Sequence, residues 1–178
     1  MRAPACLGAA AFLLALVATR APGQGDVEGF DPDKVERVPG GLTEEPWKED
    51  EASFPPLPRP DDLFEFEVPE SPFRHFLDLR SLSLGKDEVM RYTVVLVAGH
   101  ARNILYEGLR CAKREFKPIG YATGTGGFRR RSGARWRSLA QSIAPTERFR
   151  LVLWDRYLCD ETGNWMTVKE VLARLRDS

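Results

Sequence analysis

Short stretches of alternating or β-branched apolar residues in the middle of the chain predict a series of β-strands. Phe64–Val68 alternates apolar and charged positions, which is the period of a half-buried strand. Val89–Val97, with the sequence VMRYTVVLV, is rich in β-branched residues and predicts a second strand. Further strands are expected at 74–84, 103–110 and 117–122, with a short edge strand at 134–139. Because short turns connect these segments and no helix intervenes, the pattern predicts an antiparallel meander.

The C-terminal part of the chain changes to helical spacing. Phe149, Val152, Leu153 and Tyr157 recur on one helical face and predict a helix over about 146–158, although the run LVLW also fits a buried strand. A second helix is predicted over 168–176, because Thr167 and Glu170 fit a capping box and an apolar stripe follows them. The predicted fold class is therefore α+β, an antiparallel β-sheet meander with one or two C-terminal helices.

Residues 1–23 have the pattern of a secretory signal peptide. Arg2 precedes the uncharged apolar run Ala5–Ala18, which is shorter than the roughly twenty residues that a membrane-spanning helix needs. Small residues at 21–23 favour cleavage before Gln24, and Ala18 is a second candidate site. A retained membrane anchor is the alternative. The sequence predicts export to the periplasm or cell envelope, with no transmembrane span after cleavage.

The net charge of zero hides a strong asymmetry along the chain. Residues 26–70 contain fifteen acidic and four basic residues, a net charge of −11, whereas residues 71–178 carry a net charge of +9. The acidic part also contains the proline-rich stretch FPPLPRP at 54–60. Such a composition buries too little apolar area to offset chain entropy. We therefore expect 24–61 to be an acidic, proline-rich disordered linker and 62–178 to be one folded domain.

Two of the three cysteines, Cys111 and Cys159, lie in the predicted mature chain. An even number of cysteines in an oxidising compartment favours a disulfide bond, which would tether the first helix to the sheet. The chain-entropy model gives about 4 kcal/mol for closing a loop of this length. Two buried free thiols are the alternative. A metal site is less favoured, because neither cysteine has another Cys or His at ligand spacing.

The sequence contains no recognisable catalytic motif, such as a nucleophile elbow, a zinc-protease motif or a Walker loop. His75 lies three positions from Asp78, which in a strand places the two side chains on opposite faces. His100 is expected in an exposed turn, and Tyr106 in the core. No catalytic residue, cofactor or metal is predicted. The alternative class is a hydrolase or other enzyme whose site is assembled from distant polar residues.

The segment GFRRRSGARWR, residues 127–137, is the strongest candidate for binding chemistry. It is either a solvated loop that protects a sheet edge, an anionic-ligand site built on planar guanidinium groups, or a basic surface masked by the acidic N-terminal segment. For an exported protein the expected ligand is an anionic glycan, a lipid head group or an unknown envelope partner rather than nucleic acid. The candidate site residues are Arg129, Arg130, Arg131, Arg135, Trp136 and Arg137.

The order of motifs resembles the CNP1-like family of exported bacterial proteins. The matching features are Arg91–Val95, Ala101–Cys111, Trp136, and Tyr157 before Cys159. The resemblance covers most of residues 62–160 and implies an envelope or periplasmic protein without a settled activity. The layout is also similar to a small surface-adhesin fold, in architecture alone. We therefore expect non-catalytic binding or scaffolding in the bacterial periplasm or cell envelope.

Overall fold

The computed structural model describes residues 46–123 and 126–177. Within them one antiparallel sheet follows the chain order β1 to β5, and two further short strands, β6 and β7, both pair with β5. The predicted meander is therefore confirmed. The predicted signal peptide and residues 24–45 of the predicted linker lie outside the described residues. The strands are β1 (Leu63–Phe66), β2 (Arg74–Leu84), β3 (Met90–Ala98), β4 (Ala101–Arg110), β5 (Glu115–Thr123), β6 (Arg129–Arg130) and β7 (Arg137–Ser138).

Helical structure follows the sheet, as the sequence predicts. Helix α1 (Phe149–Val152) continues as a π-helical segment over Leu153–Leu158. The first helix therefore begins three residues later than predicted, and its second part is π-helical rather than α-helical. Helix α2 (Val168–Arg176) has the predicted bounds. Short 3₁₀ turns occupy Pro60–Asp62 and Leu139–Gln141. In the part of the chain that the structure describes, none of the helices has the length and apolar character needed to cross a bilayer.

The capping box predicted for α2 is present. The Thr167 backbone N–H donates to Glu170 Oε2 at 2.7 Å, and the Glu170 N–H donates to Thr167 Oγ1 at 3.3 Å. The two bonds satisfy backbone donors that the first helical turn leaves free.

One face of the sheet packs against the helices. Alternate residues of β3, among them Tyr92 and Val94, are fully buried in the main core with Leu153 and Val171 from the helical segments. Burial of these apolar side chains is the main force that holds the C-terminal helices on the sheet.

Residues 46–61, here called the N-terminal strap, cover the opposite face of the sheet. Ala52 and Phe54 pack with Tyr106, and Leu57 packs with Val95. The packed unit thus begins before residue 62, which corrects the predicted boundary between linker and domain. Both faces of β3 are covered, which explains why its apolar positions are continuous rather than alternating.

The Cys111–Cys159 disulfide joins the end of β4 to the end of the helical segment. The two Cα atoms lie 5.7 Å apart, and both residues are almost completely buried. The predicted pairing is confirmed, and it tethers helical structure to the sheet.

Candidate functional site

The arginine-rich segment lies along the outer edge of β5. Its first part, β6, pairs with Gly120 and Tyr121, and its last part, β7, pairs with Glu115 and Phe116. Between them the Arg131 N–H donates to the Ile119 carbonyl at 2.9 Å. The segment therefore occupies backbone groups of β5 that an open sheet edge would leave exposed.

Two of the six candidate residues hold the N-terminal strap. Arg130 donates from Nη2 to the Ala52 carbonyl at 2.9 Å, and its guanidinium lies 5.1 Å from the ring centre of Phe54. Trp136 donates from Nε1 to Glu49 Oε2 at 3.2 Å. Both side chains are thus engaged within the protein.

Arg137 is also engaged within the protein. Its guanidinium lies 5.2 Å from the ring centre of Phe116, and Nη2 is 3.9 Å from a carboxylate oxygen of Glu147. The side chain is half-buried. A long, half-exposed ion pair of this kind contributes little to stability.

Arg129, Arg131 and Arg135, here called the exposed arginine trio, remain. All three are exposed, and none has a carboxylate of the described residues within 4.0 Å. By contrast, Arg74 and Arg148 form ion pairs with Glu65 and Glu70 at 2.8 and 2.7 Å. The trio is therefore the part of the predicted site that is available to a ligand.

A buried ion pair that the sequence pattern does not predict anchors the strap. Arg91 donates from Nη2 to Asp87 Oδ2 at 2.6 Å and from Nη1 to Oδ1 at 3.1 Å. The Asp50 N–H donates to the same carboxylate at 2.9 Å, and the Trp47 indole donates to the Asp87 carbonyl at 3.0 Å. Burial tends to raise the pKa of Asp87, but the hydrogen bonds from Arg91 and Asp50 outweigh it and the pKa is lowered.

A second buried network lies on the helical side of the sheet. Arg150 makes two hydrogen bonds to the Glu107 carboxylate, at 2.8 and 2.7 Å, and the Tyr92 hydroxyl donates to the same group at 3.1 Å. Burial and the Glu107 charge raise the pKa of Tyr92. The sequence correctly places Tyr106 in the core but gives no sign that Glu107, on the opposite face of β4, is also buried.

His75 lines a cavity of about 500 Å³ at the β1–β2 end of the sheet. Its Nε2 lies 3.2 Å from Ser71 Oγ, which accepts a hydrogen bond from the Phe73 N–H at 3.3 Å. The ring is buried between Phe66 and Phe149, and burial lowers the pKa of the imidazole. The rim of the cavity carries charged residues, namely Glu65, Glu67, Arg74 and Arg156.

The remaining candidates for chemistry do not converge on a site. Asp78 is buried and accepts a hydrogen bond from the Arg80 N–H rather than from His75. His100 is exposed in the β3–β4 turn, as predicted. No group of three or more His, Cys, Asp or Glu residues at metal-binding geometry occurs in the described ranges.

Comparison with known proteins identifies a family but no individual relative. The sequence model of the CNP1-like family matches residues 42–176, a span that contains all seven strands and both helices. No curated protein and no solved structure is significantly similar to the chain. Because the match covers well over half of the sequence, the chain belongs to the CNP1-like family.

Proposed function

We propose that this protein is a non-catalytic binding protein of the bacterial cell envelope that holds an anionic ligand on the exposed arginine trio. The observation that carries the proposal is the state of Arg129, Arg131 and Arg135, three exposed guanidinium groups on one edge segment with no carboxylate partner among the described residues. Export is supported by the predicted signal peptide and by the Cys111–Cys159 bond, since disulfides persist in oxidising compartments.

The chemistry of the trio favours phosphate, sulfate or carboxylate groups. A guanidinium group presents planar, paired N–H donors that match such oxyanions. Because the three side chains are exposed, attraction to the ligand depends on ionic strength and falls as salt rises. An acidic glycan or an anionic lipid head group meets these requirements in the envelope.

Heparin-affinity chromatography tests the proposal. The triple variant R129A/R131A/R135A should elute at clearly lower salt than the unmodified protein. The matched control is the triple variant K86A/R102A/K169A, which removes the same charge from exposed positions outside the arginine-rich segment. Equal elution of the two triple variants would show that heparin senses only net charge and would overturn the proposed site.

The rival class, an enzyme, is favoured by one observation, the cavity lined by His75. The Ser71–His75 contact resembles a nucleophile and its base, but the imidazole is only 1% exposed and the serine hydroxyl is part of a turn. A general base needs access to the proton that it removes. The geometry therefore supports binding better. Hydrolysis of a generic ester that is abolished by both S71A and H75F, in variants that remain folded, would instead favour the enzyme.

A further inference from the structure

All four tryptophans of the chain gather around Arg110 and the turn at 111–114 that follows β4. The Arg110 guanidinium lies 4.0 Å from the ring centre of Trp47 and 5.3 Å from that of Trp136. On the other side of the turn, Arg114 lies 4.2 Å from the ring centre of Trp154. The backbone of Trp165 pairs with Cys159, which the disulfide joins to Cys111.

Two adjoining clefts flank this turn, here called the tryptophan clefts. The first, of about 160 Å³, is lined by Trp47 and Trp165 with Arg110, Lys113 and Glu88. The second, of about 270 Å³, is lined by Trp154 with Arg114, Glu161 and Thr162. Both clefts share Cys111 and Ala112 in their walls, so they lie on either side of the same short stretch of the turn.

The two tryptophans of the first cleft remain accessible, and Trp154 in the second is half-buried. Trp47 is 45% exposed and Trp165 is 40% exposed, although large apolar side chains favour burial. Trp165 takes part in none of the side-chain hydrogen bonds or ring contacts found in the described part of the chain. An indole in this state offers an apolar surface to a ligand.

The charges around the clefts balance. Lys113 and Arg114 supply donors, and Glu88 and Glu161 supply acceptors. A uniformly anionic ligand would meet repulsion from the two carboxylates, whereas a hydroxyl group both donates and accepts and fits the mixture. Sugar rings combine such hydroxyls with an apolar C–H face that packs flat on an indole. Each cleft is smaller than the roughly 300 Å³ at which sites for drug-sized ligands begin, which suits one ring per cleft.

We propose that the tryptophan clefts bind an uncharged saccharide chain, laid across the 111–114 turn with one sugar ring in each cleft. The site shares no residue with the exposed arginine trio and differs from it in ligand class. The two proposals therefore stand or fall independently.

Intrinsic tryptophan fluorescence of the full chain tests the site, because every tryptophan lies in or beside it. Titration with chitohexaose or cellohexaose should give a saturable change for at least one of them, nearly unaffected by salt. W165A should weaken that binding about tenfold, a loss of about 1.4 kcal/mol. The matched control is Y121A, which removes an aromatic side chain of equal exposure outside the clefts and should leave the affinity unchanged.

A second variant keeps the test informative if W165A is destabilised. K113Q/E161Q removes one exposed donor charge and one exposed acceptor charge without touching the core, and it should weaken binding at least about threefold. Absence of a saturable change with both hexasaccharides, or unchanged affinity in W165A or in K113Q/E161Q, overturns the proposal. So does displacement of the sugar by polyphosphate. R129A/R131A/R135A should bind the hexasaccharide as the unmodified protein does.

Discussion

Glu107 and Arg150 form a two-pronged ion pair inside the core, with side chains that are 0% and 6% exposed. Their contacts span 43 positions of sequence and connect β4 to α1. E107Q removes the carboxylate that is hydrogen-bonded to the buried guanidinium and leaves it only the half-exposed Glu147, 3.7 Å away. We expect the free energy of unfolding to fall by about 3–5 kcal/mol, because an unpaired buried charge is far more costly than the pair. Urea denaturation measures the loss.

The double variant E107M/R150M is the control for this effect. It replaces both partners by apolar side chains and should be less destabilised than E107Q, since no charge is left without a partner. A double variant as unstable as the single one would mean that packing, rather than charge, accounts for the loss.

The buried imidazole of His75 should make stability depend on pH. Burial lowers its pKa in the folded state below the ordinary value near 6.5, so the unfolded chain binds the proton more tightly. The contribution of the neutral His75 imidazole to the free energy of unfolding is therefore complete above about pH 6.5. It is lost as the pH falls towards the folded-state pKa. H75F, which does not titrate, should show a smaller fall in Tm between about pH 7 and pH 5. Parallel curves for the two proteins would contradict the assignment.

Gly120 allows the strap to lie close to the sheet. A Cβ atom added there would lie 2.4 Å from Phe54 Cε1 and 3.0 Å from the Arg129 carbonyl oxygen. G120A should therefore push Phe54 away and accelerate amide hydrogen exchange in residues 46–61. The control is G126A, where the nearest atom lies 3.8 Å from the added Cβ. Unchanged exchange in G120A would show that the strap does not depend on this contact.

Loss of the disulfide should lower the free energy of unfolding while the fold is retained. C111S/C159S releases a loop of 48 residues, and we expect the free energy of unfolding to fall by up to about 4 kcal/mol. Because both sulfurs are buried, the native protein should resist mild reductant until it unfolds. Equal urea midpoints for oxidised protein and variant would contradict a stabilising bond.

The acidic residues before the strap should weaken polyanion binding if they mask the exposed arginine trio. Deletion of residues 24–45, which keeps the strap intact, should then raise the salt at which the protein leaves heparin. The matched control keeps the length and replaces Asp and Glu in 24–45 by Asn and Gln. This control should elute at the same salt concentration as the deletion variant. If both variants elute at the same salt concentration as the unmodified protein, masking is excluded.

The sheet and α2 follow from local signals in the sequence, whereas the disulfide follows from the count of two cysteines in the predicted mature chain. The β-branched run Val89–Val97 and the capping residues Thr167 and Glu170 act over a few positions, so their spacing alone predicts the elements. The π-helical end of the first helix does not follow in this way, because the same apolar spacing fits an ordinary helical turn.

The strap and the two buried ion pairs are tertiary features that composition conceals. Residues 46–61 are acidic and rich in proline, yet a few anchors such as Ala52 and Phe54 suffice because the sheet supplies a matching apolar face. One feature of the sequence does indicate that the sheet is covered on both faces. Val94 and Val95 are consecutive apolar residues, which in a strand predicts a covering layer on each side of the sheet, and the structure buries both completely. Arg91 lies four positions from Asp87, but nothing in that spacing shows that the pair is buried, and Arg150 lies 43 positions from Glu107.

The dependence of the sheet on the strap has a practical consequence for handling this protein. A fragment that begins at residue 62 would lack the residues that cover Val95, Ile104 and Tyr106. It would expose an apolar face of the sheet to water. Such a fragment should self-associate. Any binding measured with it would reflect the apolar face exposed by truncation rather than a site for a natural ligand.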